Sequence, residues 1–283
     1  MPLRKHNRRK GRPKQKHLNN VIAALFIVFI LVFVFNTFRR IVLDKKVSPT
    51  SSKSSVTRIS GKPMLVVIVD DCGYSINDCD YISRLDTPAT ISVLPNLDHS
   101  TQVAACAQKM GKEVMLHLPL EPHILKEHYN SDYIITTDMT GKQVVEKIHS
   151  ALASVPYAVG INNHMGSKAT ENRRLMSIVF SQLMKSNLFF VDSRVTAKTI
   201  CRRLAREQGL PFAKRDVFLD NENDRDYIEG QYAQLKHKAR QQGYAIGICH
   251  ARPLSWQILM EQSRSLQDEG FELVTVNTLM KSF

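Results

Sequence analysis

The chain lacks any pair of cysteines at the short spacing that structural zinc sites use, although it contains five cysteines in 283 residues. An odd number permits two disulfides at most. Cys72 and Cys249 adjoin Asp71 and His250 in sequence, so the two thiols are candidates for proximity. A buried free thiol is nevertheless the favoured state for both, because free cysteine packs as a small hydrophobic side chain.

Acidic residues are almost missing from the first part of the chain. Residues 1–62 hold 15 Lys and Arg but one acid, Asp44, which leaves 24 basic and 25 acidic residues for the rest. The net charge of +13 therefore belongs to the N-terminal part, and the remainder is close to neutral. This lack of excess positive charge excludes a polybasic nucleic-acid surface and assigns the basic residues to membrane topology and anionic lipid headgroups.

Charged residues are also missing from 18–38, a run of about 20 residues that is long enough to cross the hydrocarbon core of a bilayer. The run is too long for a cleaved signal peptide and lacks a small-x-small site after it. Eight Lys and Arg and no acid precede it, so its N-terminal side should stay in the cytoplasm. The sequence predicts a cytoplasmic tail (1–17), a transmembrane anchor in the cytoplasmic membrane (18–38), a flexible linker (39–62) and a periplasmic or otherwise extracytoplasmic domain (63–283).

From residue 63 onward, apolar extended runs alternate with helical patterns, which predicts an α/β fold with parallel strands in one barrel-like domain. One of the predicted strands lies within 210–218, and the chain closes on a strand at 271–276 without a final helix. Gly209 and Gly243 each follow a predicted helix, as C-terminal cap glycines do.

Five of the apolar runs end on polar groups. In a parallel barrel the C-terminal strand ends form the active-site face, so these groups should meet there. They are Asp70 and Asp71, His117, the triplet Asn162, Asn163 and His164, Asp192, and His250.

Two adjacent acids suit a position where a strand ends and the chain turns, and Gly73 assists such a turn. Asp71 with His117 and His164 makes a two-histidine, one-carboxylate set, which leaves a coordination position open for water. The expected cofactor is one divalent transition metal, with zinc favoured over iron, cobalt or nickel. Glu121 competes with His164 for the third ligand position, and we favour His164 because the prolines around Glu121 prevent a helix that would place it beside His117.

The strings VIVDDCGYS, EVMLHLPLEP, VGINNHMGSKAT, FFVDSRVT, RDVFLDN and AIGICHARP occur in this order. Together they resemble the divergent polysaccharide deacetylase family, a distant branch of the barrel-fold carbohydrate deacetylases. The resemblance implies a distorted (β/α)7-8 barrel and metal-dependent removal of acetyl groups from an N-acetylated sugar. It also implies that Asp70 is the base, Asp71 a metal ligand and His250 the acid. The chain departs from the usual pattern in carrying Glu121 where a second histidine is expected, and in lacking evident arginine-proline and aspartate-tryptophan substrate motifs.

The expected function is therefore hydrolysis of an acetylated cell-envelope carbohydrate, either a polysaccharide or peptidoglycan. Asn163, Asp192 and Arg215 are candidates to orient the substrate or to support a histidine, although Asp192 and Arg215 would also suit an ordinary structural ion pair. Two alternatives remain open: a protein that binds glycan without turning it over, and a metal hydrolase with another substrate.

Overall fold

The computed structural model describes residues 61–125 and 131–282. Within them, helices and strands alternate along the chain. The strands are β1 (Met64–Cys72), β2 (Thr90–Val93), β3 (Glu113–Leu120), β4 (Ala158–Met165), β5 (Phe189–Asp192), β6 (Phe212–Lys214), β7 (Val217–Phe218), β8 (Tyr244–His250) and β9 (Glu272–Leu273). The helices are α1 (Asp78–Ser83), α2 (Ser100–Lys109), α3 (Gly141–Ser154), α4 (Arg173–Lys185), α5 (Cys201–Gln208), α6 (Arg225–Gln242), α7 (Pro253–Leu266) and α8 (Val276–Met280).

The strands form one parallel sheet in the order β6-β5-β4-β3-β2-β1-β8-β7, and β9 pairs with the start of β1. The predicted parallel α/β architecture is confirmed as a half-barrel. The predicted single strand within 210–218 is wrong, because this segment forms β6 at one end of the sheet and β7 at the other. Its middle crosses between the two ends: the amide of Arg215 donates to the Asp192 carbonyl (2.9 Å), and the amide of Asp216 donates to the Ile246 carbonyl (2.8 Å).

Alternation along each strand divides the apolar side chains between two cores. On β1, Leu65 and Val67 pack in the layer between the sheet and the helices, whereas Val66 and Ile68 belong to a separate inner cluster. Apolar side chains alternate between two faces in this way along a strand that is buried on both sides of the sheet. From the other strands and from α8, the inner cluster includes Met115, Phe189, Val191, Ile246, Ile248, Val276 and Leu279.

Gly160 on β4 lies on the same inner face. A Cβ atom at this position would stand 2.2 Å from Cε2 of the Phe189 ring, so the ring fills the space that a side chain would need. The glycine therefore allows an aromatic ring to pack in the inner core.

Helix ends follow the local sequence. Thr140 and Gln143 form a capping box at the start of α3, and Gly209 and Gly243 adopt φ values of 72° and 89° after α5 and α6. The two predicted glycine caps are confirmed. The prediction that the chain closes on a strand without a final helix is wrong: β9 contains only two residues, and the Thr275 side chain then accepts from the Thr278 amide to start α8.

Other sequence expectations have mixed outcomes. All five cysteines are free thiols, and Cys72, Cys201 and Cys249 are buried. The predicted anchor at 18–38 lies outside the described residues, and no helix among those described is long and apolar enough to cross a membrane.

Candidate metal centre and catalytic face

Three potential metal ligands meet above the inner core. Oδ1 of Asp71 lies 3.2 Å from Nε2 of His117 and 3.0 Å from Nδ1 of His164, and the two ring nitrogens are 3.2 Å apart. His117 occupies the next inward position after Met115 on β3, and His164 lies close to the end of β4. The strand ends therefore deliver the three side chains to one point, as the sequence predicted.

The chain reaches Asp71 through a local turn. Asp71 has a φ of 62°, an uncommon conformation for a residue other than glycine, and Gly73 follows with a φ of 109°. The amide of Gly73 donates to Oδ2 of the buried Asp78 at 2.8 Å, and this hydrogen bond holds the turn in place. Because alternation is broken at Asp71, the consecutive carboxylates of Asp70 and Asp71 can approach the same histidine.

The donor set fits a transition metal ion. Ligand atoms held about 2.0–2.2 Å from one tetrahedral ion stand about 3.3–3.6 Å apart, a few tenths of an ångström more than the three distances observed here. Asp71 Oδ1 is buried, and its nearest polar neighbours are Nε2 of His117 and Nδ1 of His164, so three atoms that can each bind a metal ion face one another. Burial alone would raise the pKa of Asp71, but His117 and His164 outweigh it and hold that pKa well below its usual range.

Asn162 fixes the tautomer of His117. Its Nδ2 donates to Oδ1 of Asp70 at 2.7 Å, so its Oδ1 faces Nδ1 of His117 at 2.8 Å and also accepts from the Ser92 hydroxyl at 2.5 Å. An amide oxygen can only accept, so Nδ1 of His117 must carry the hydrogen. In neutral His117 this leaves the lone pair on Nε2, the atom that points at the candidate metal position.

Asp70 is the next inward residue of β1 after Ile68, and it is 3 % exposed. While Asn162 holds its Oδ1, its Oδ2 lies 3.7 Å from Nε2 of His117. Burial raises the pKa of Asp70, against the opposing influence of His117 and Asn162. Burial alone would lower the pKa of His117, but the carboxylates of Asp70 and Asp71 outweigh this effect and raise that pKa to about 9. The site therefore favours positive charge at its centre.

His250 faces the same centre from β8. Its Nδ1 lies 2.9 Å from Oδ1 of the fully buried Asp220, and its Nε2 lies 3.8 Å from Oδ2 of Asp71. Asp220 also accepts from the His250 amide and from the Ser255 hydroxyl. Burial would lower the pKa of His250, but the Asp220 carboxylate outweighs it and raises the pKa. Nε2 of His250 is thus available to hold a proton toward the site.

Glu121, the competing third ligand, lies outside the three-residue cluster. Its Oε2 accepts from the amide and hydroxyl of Thr137, both at 2.6 Å, and its Oε1 pairs with Nζ of Lys168 at 2.7 Å. Although burial opposes the change, these partners lower the pKa of Glu121. Its contacts tie together the loops that follow β3 and β4.

The other predicted residues hold the loops around the site. Asn163 donates to the Met165 carbonyl and accepts from the Ser193 amide, so its neighbour Asn162 is the one that touches a histidine. Asp192 accepts from the Arg194 amide and the Thr199 hydroxyl and pairs with no cation within 4 Å among the described residues. Arg215 contacts backbone carbonyls and the Phe218 ring.

Sequence reasoning assigned no role to two residues, Asn162 and Asp220. Counting back two positions from His164 along β4 identifies Asn162 as an inward residue, so strand alternation contained that signal.

Trp256 is 1 % exposed and stacks on Tyr81 with a centroid separation of 5.7 Å, which makes it a packing residue.

The sequence is similar to a known protein family and to bacterial proteins. A family profile described as divergent polysaccharide deacetylase matches residues 67–280. An uncharacterized protein of Escherichia coli, YibQ, is 33 % identical over 222 residues, which cover 78 % of this chain and 68 % of the relative.

Solved structures share the fold. An uncharacterized protein of Agrobacterium tumefaciens, ATU2773, aligns with a TM-score of 0.74 and 23 % identity over 78 % of this chain and 90 % of the other. A structure named T48 deacetylase with substrate aligns with a TM-score of 0.50 and 16 % identity, covering 78 % and 92 %.

Proposed function

Because the chain belongs to the divergent polysaccharide deacetylase family, we propose that it is a metal-dependent hydrolase that removes acetyl groups from an N-acetylated cell-envelope glycan. The observation that carries this proposal is the triangle of Asp71 Oδ1, His117 Nε2 and His164 Nδ1, with Asp70 and His250 beside it. This arrangement offers three candidate metal ligands and two separate proton-transfer groups, a set that suits metal-assisted amide hydrolysis.

Asp71, His117 and His164 would hold one divalent ion, with zinc favoured because it accepts two imidazoles and a carboxylate with an open position. The chemistry that such an ion supplies when bound is Lewis acidity, which lowers the pKa of water and polarises an acyl oxygen. Asn162 contributes by keeping Nε2 of His117 free of hydrogen in the neutral ring.

Asp70 is positioned to accept a proton. Its Oδ1 is occupied by the Asn162 amide, so Oδ2 is the oxygen that would take the proton of an attacking water. Burial raises its pKa, which makes it a stronger base than an exposed aspartate. The water oxygen then bonds to the acyl carbon, while the proton remains on Asp70.

His250 is positioned to supply a proton to the leaving amine. Asp220 holds its Nδ1 hydrogen and stabilises the imidazolium form, so Nε2 carries the proton toward the substrate. Cleavage of the C–N bond requires this proton, because an unprotonated amide anion is a poor leaving group. Two different groups are needed, since the base must be ionised while the acid is protonated.

The decisive experiment compares Asp70→Asn and His250→Ala with wild type in the full chain. Acetate release from acetylated chitooligosaccharides and peptidoglycan fragments should fall roughly 10²–10⁴-fold in each variant while bound metal is retained. His149→Ala, on the exposed face of α3, is the matched control and should keep full activity. Wild-type protein that is folded and metal-loaded but releases no acetate from any of these substrates would leave the glycan-binding alternative in its place.

We also propose that the domain faces away from the cytoplasm, anchored through 18–38. The support is the uncharged run and its basic N-terminal flank. Protease added to spheroplasts should digest the domain, and a lysed sample is the control that shows its intrinsic sensitivity. Survival of the domain until lysis would reverse the proposed orientation.

A further inference from the structure

The alternation that directs side chains into the barrel continues two residues beyond Asn162 along the neighbouring strands. Asn162 pairs with Val191, and Val191 pairs with Ala213, whose side chain packs on the inner core. Two positions further along each strand come His164 on β4 and Arg215 after β6. Arg215 therefore stands on the inner side of the barrel mouth, level with a candidate metal ligand.

The guanidinium of Arg215 is held in a defined orientation. Its Nε donates to the Ser193 carbonyl at 2.7 Å and its Nη2 to the Arg194 carbonyl at 3.0 Å, while its Cζ lies 4.8 Å from the centroid of the Phe218 ring. The Phe218 ring in turn meets His250 edge-on at 5.1 Å. The Phe218 ring therefore lies between Arg215 and His250, the proposed acid, and contacts both side chains.

Arg194 lies beside it in a strained backbone conformation. Its φ is 50°, held by the Asp192 side chain, which accepts from its amide, and by Arg215, which donates to its carbonyl. The Arg194 side chain is exposed. Burial and the neighbouring positive charge of Arg194 together lower the pKa of Arg215, so the two cations repel one another across a short distance.

Within residues 61–125 and 131–282, neither guanidinium forms an ion pair with a carboxylate. The surrounding acids are engaged elsewhere: Asp70 with Asn162, Asp192 with the Arg194 amide and Thr199, and Asp216 with Lys214 and the Ile246 amide. Asp192, Asp70 and Asp216 attract Arg215 through space, but none of the three lies within ion-pair distance of either guanidinium. Two adjacent arginines without an acidic partner at a catalytic mouth favour an anionic ligand.

We propose that Arg194 and Arg215 form a subsite for a carboxylate or phosphate group on the substrate, so that the preferred substrate is an acidic N-acetylated glycan. The inference rests on the proposed function, because it specifies the substrate of the same mouth. Arginine suits this task since its planar donors match the oxygens of either anion. The anionic group would lie on the His250 side of the acetamido group that is hydrolysed.

The test compares three substrates that differ in one group. They are an N-acetylglucosamine oligomer, the corresponding oligomer with lactyl carboxylates, and the same oligomer with a phosphate ester. The full chain should show higher kcat/KM for at least one acidic substrate, and this preference should shrink as salt is raised. Arg215→Gln and Arg194→Gln should each lower kcat/KM on the acidic substrates about 10–100-fold more than on the neutral oligomer, mainly through KM.

Arg206→Gln, which removes an exposed arginine from α5, is the matched control and should leave the preference intact. Arg215→Lys keeps the charge and loses the paired donors, so it should retain part of the preference if Arg215→Gln proves unstable. Equilibrium binding of the non-hydrolysed acidic and neutral fragments gives a readout independent of turnover.

The outcomes separate the two proposals. Equal activity and equal binding for acidic and neutral sugars would overturn the anion subsite. An equal loss of activity on all substrates in Arg215→Gln would also overturn it, because that loss would mean a role at the reacting centre or in folding. Absence of acetate from every substrate, combined with tighter binding of the acidic fragment that depends on Arg215, would overturn the proposed hydrolase and leave the anion subsite in place. The carboxylate and phosphate arms identify the anion.

Discussion

Asn162 offers the sharpest test of how the site is organised. Replacing it with alanine removes the donor to Asp70 (2.7 Å) and the acceptor for His117 (2.8 Å) and Ser92 (2.5 Å), all within buried surroundings. The ring hydrogen of His117 and the hydroxyl of Ser92 then lose their partner. Each unsatisfied buried group costs about 1–3 kcal/mol, so we expect the variant to lose about 2–6 kcal/mol of folding stability.

The more specific effect of Asn162→Ala should appear in metal binding. Without the amide oxygen, His117 can place its hydrogen on Nε2, the nitrogen proposed to bind the ion. Loss of a group that orients a metal ligand commonly costs 10–100-fold in affinity, or about 1.4–2.7 kcal/mol. Competition against a chromophoric chelator measures this affinity, and urea unfolding in the absence of metal measures the stability.

Asn172→Ala is the matched control for this test. Asn172 caps α4 by accepting from the Leu175 amide and has no contact with the site, so the same substitution should cost about 1 kcal/mol of stability and leave metal affinity unchanged. Asn162→Ala protein that binds metal as tightly as the Asn172→Ala control would refute the proposed control of the His117 tautomer.

Three further predictions follow from other parts of the structure. His164→Ala should lower metal affinity by orders of magnitude while Glu121→Gln retains the metal, as measured by metal content after dialysis; the opposite result would exchange their roles. Activity should fall as pH rises through the raised pKa of His250, because the proposed acid then loses its proton. Asp220→Asn removes the carboxylate that raises this pKa, so the basic limb of the pH–rate profile should move to lower pH. A basic limb that does not move would contradict the assignment of His250 as the acid. Gly160→Ala should lower Tm by roughly 5–10 °C, because its Cβ would overlap an aromatic ring in the inner core; an unchanged melting curve would show that the ring moves aside at little cost.

Much of the site followed from where the apolar runs end. Asp71, His117 and His164 are separated by about 45 residues at each step along the chain, yet they converge because parallel strands bring their C-terminal ends to one edge. The sequence also favoured His164 over Glu121, because prolines prevent a helix that would place Glu121 beside His117, and the structure brings His164 to the cluster. The roles assigned to these residues remain predictions until metal binding and turnover are measured.

Other features depend on tertiary contacts that strand patterns do not encode. The break between Arg215 and Asp216 exists because one residue bonds to β5 and the next to β8 at the other end of the sheet, whereas the local sequence resembles one continuous strand. Asp220 gains its importance from His250, 30 positions later, and nothing beside it in sequence indicates that pairing.

The position of β9 has a consequence for how the domain is made. Glu272 and Leu273 pair with Met64 and Leu65, so the first strand to be synthesised waits for partners about 200 positions later, and α8 seals the inner core only after them. Contacts between distant parts of a chain slow folding, and this set cannot form until residues 272–280 have been synthesised. The inner core beneath the candidate metal centre therefore closes only when these distant residues have joined β1.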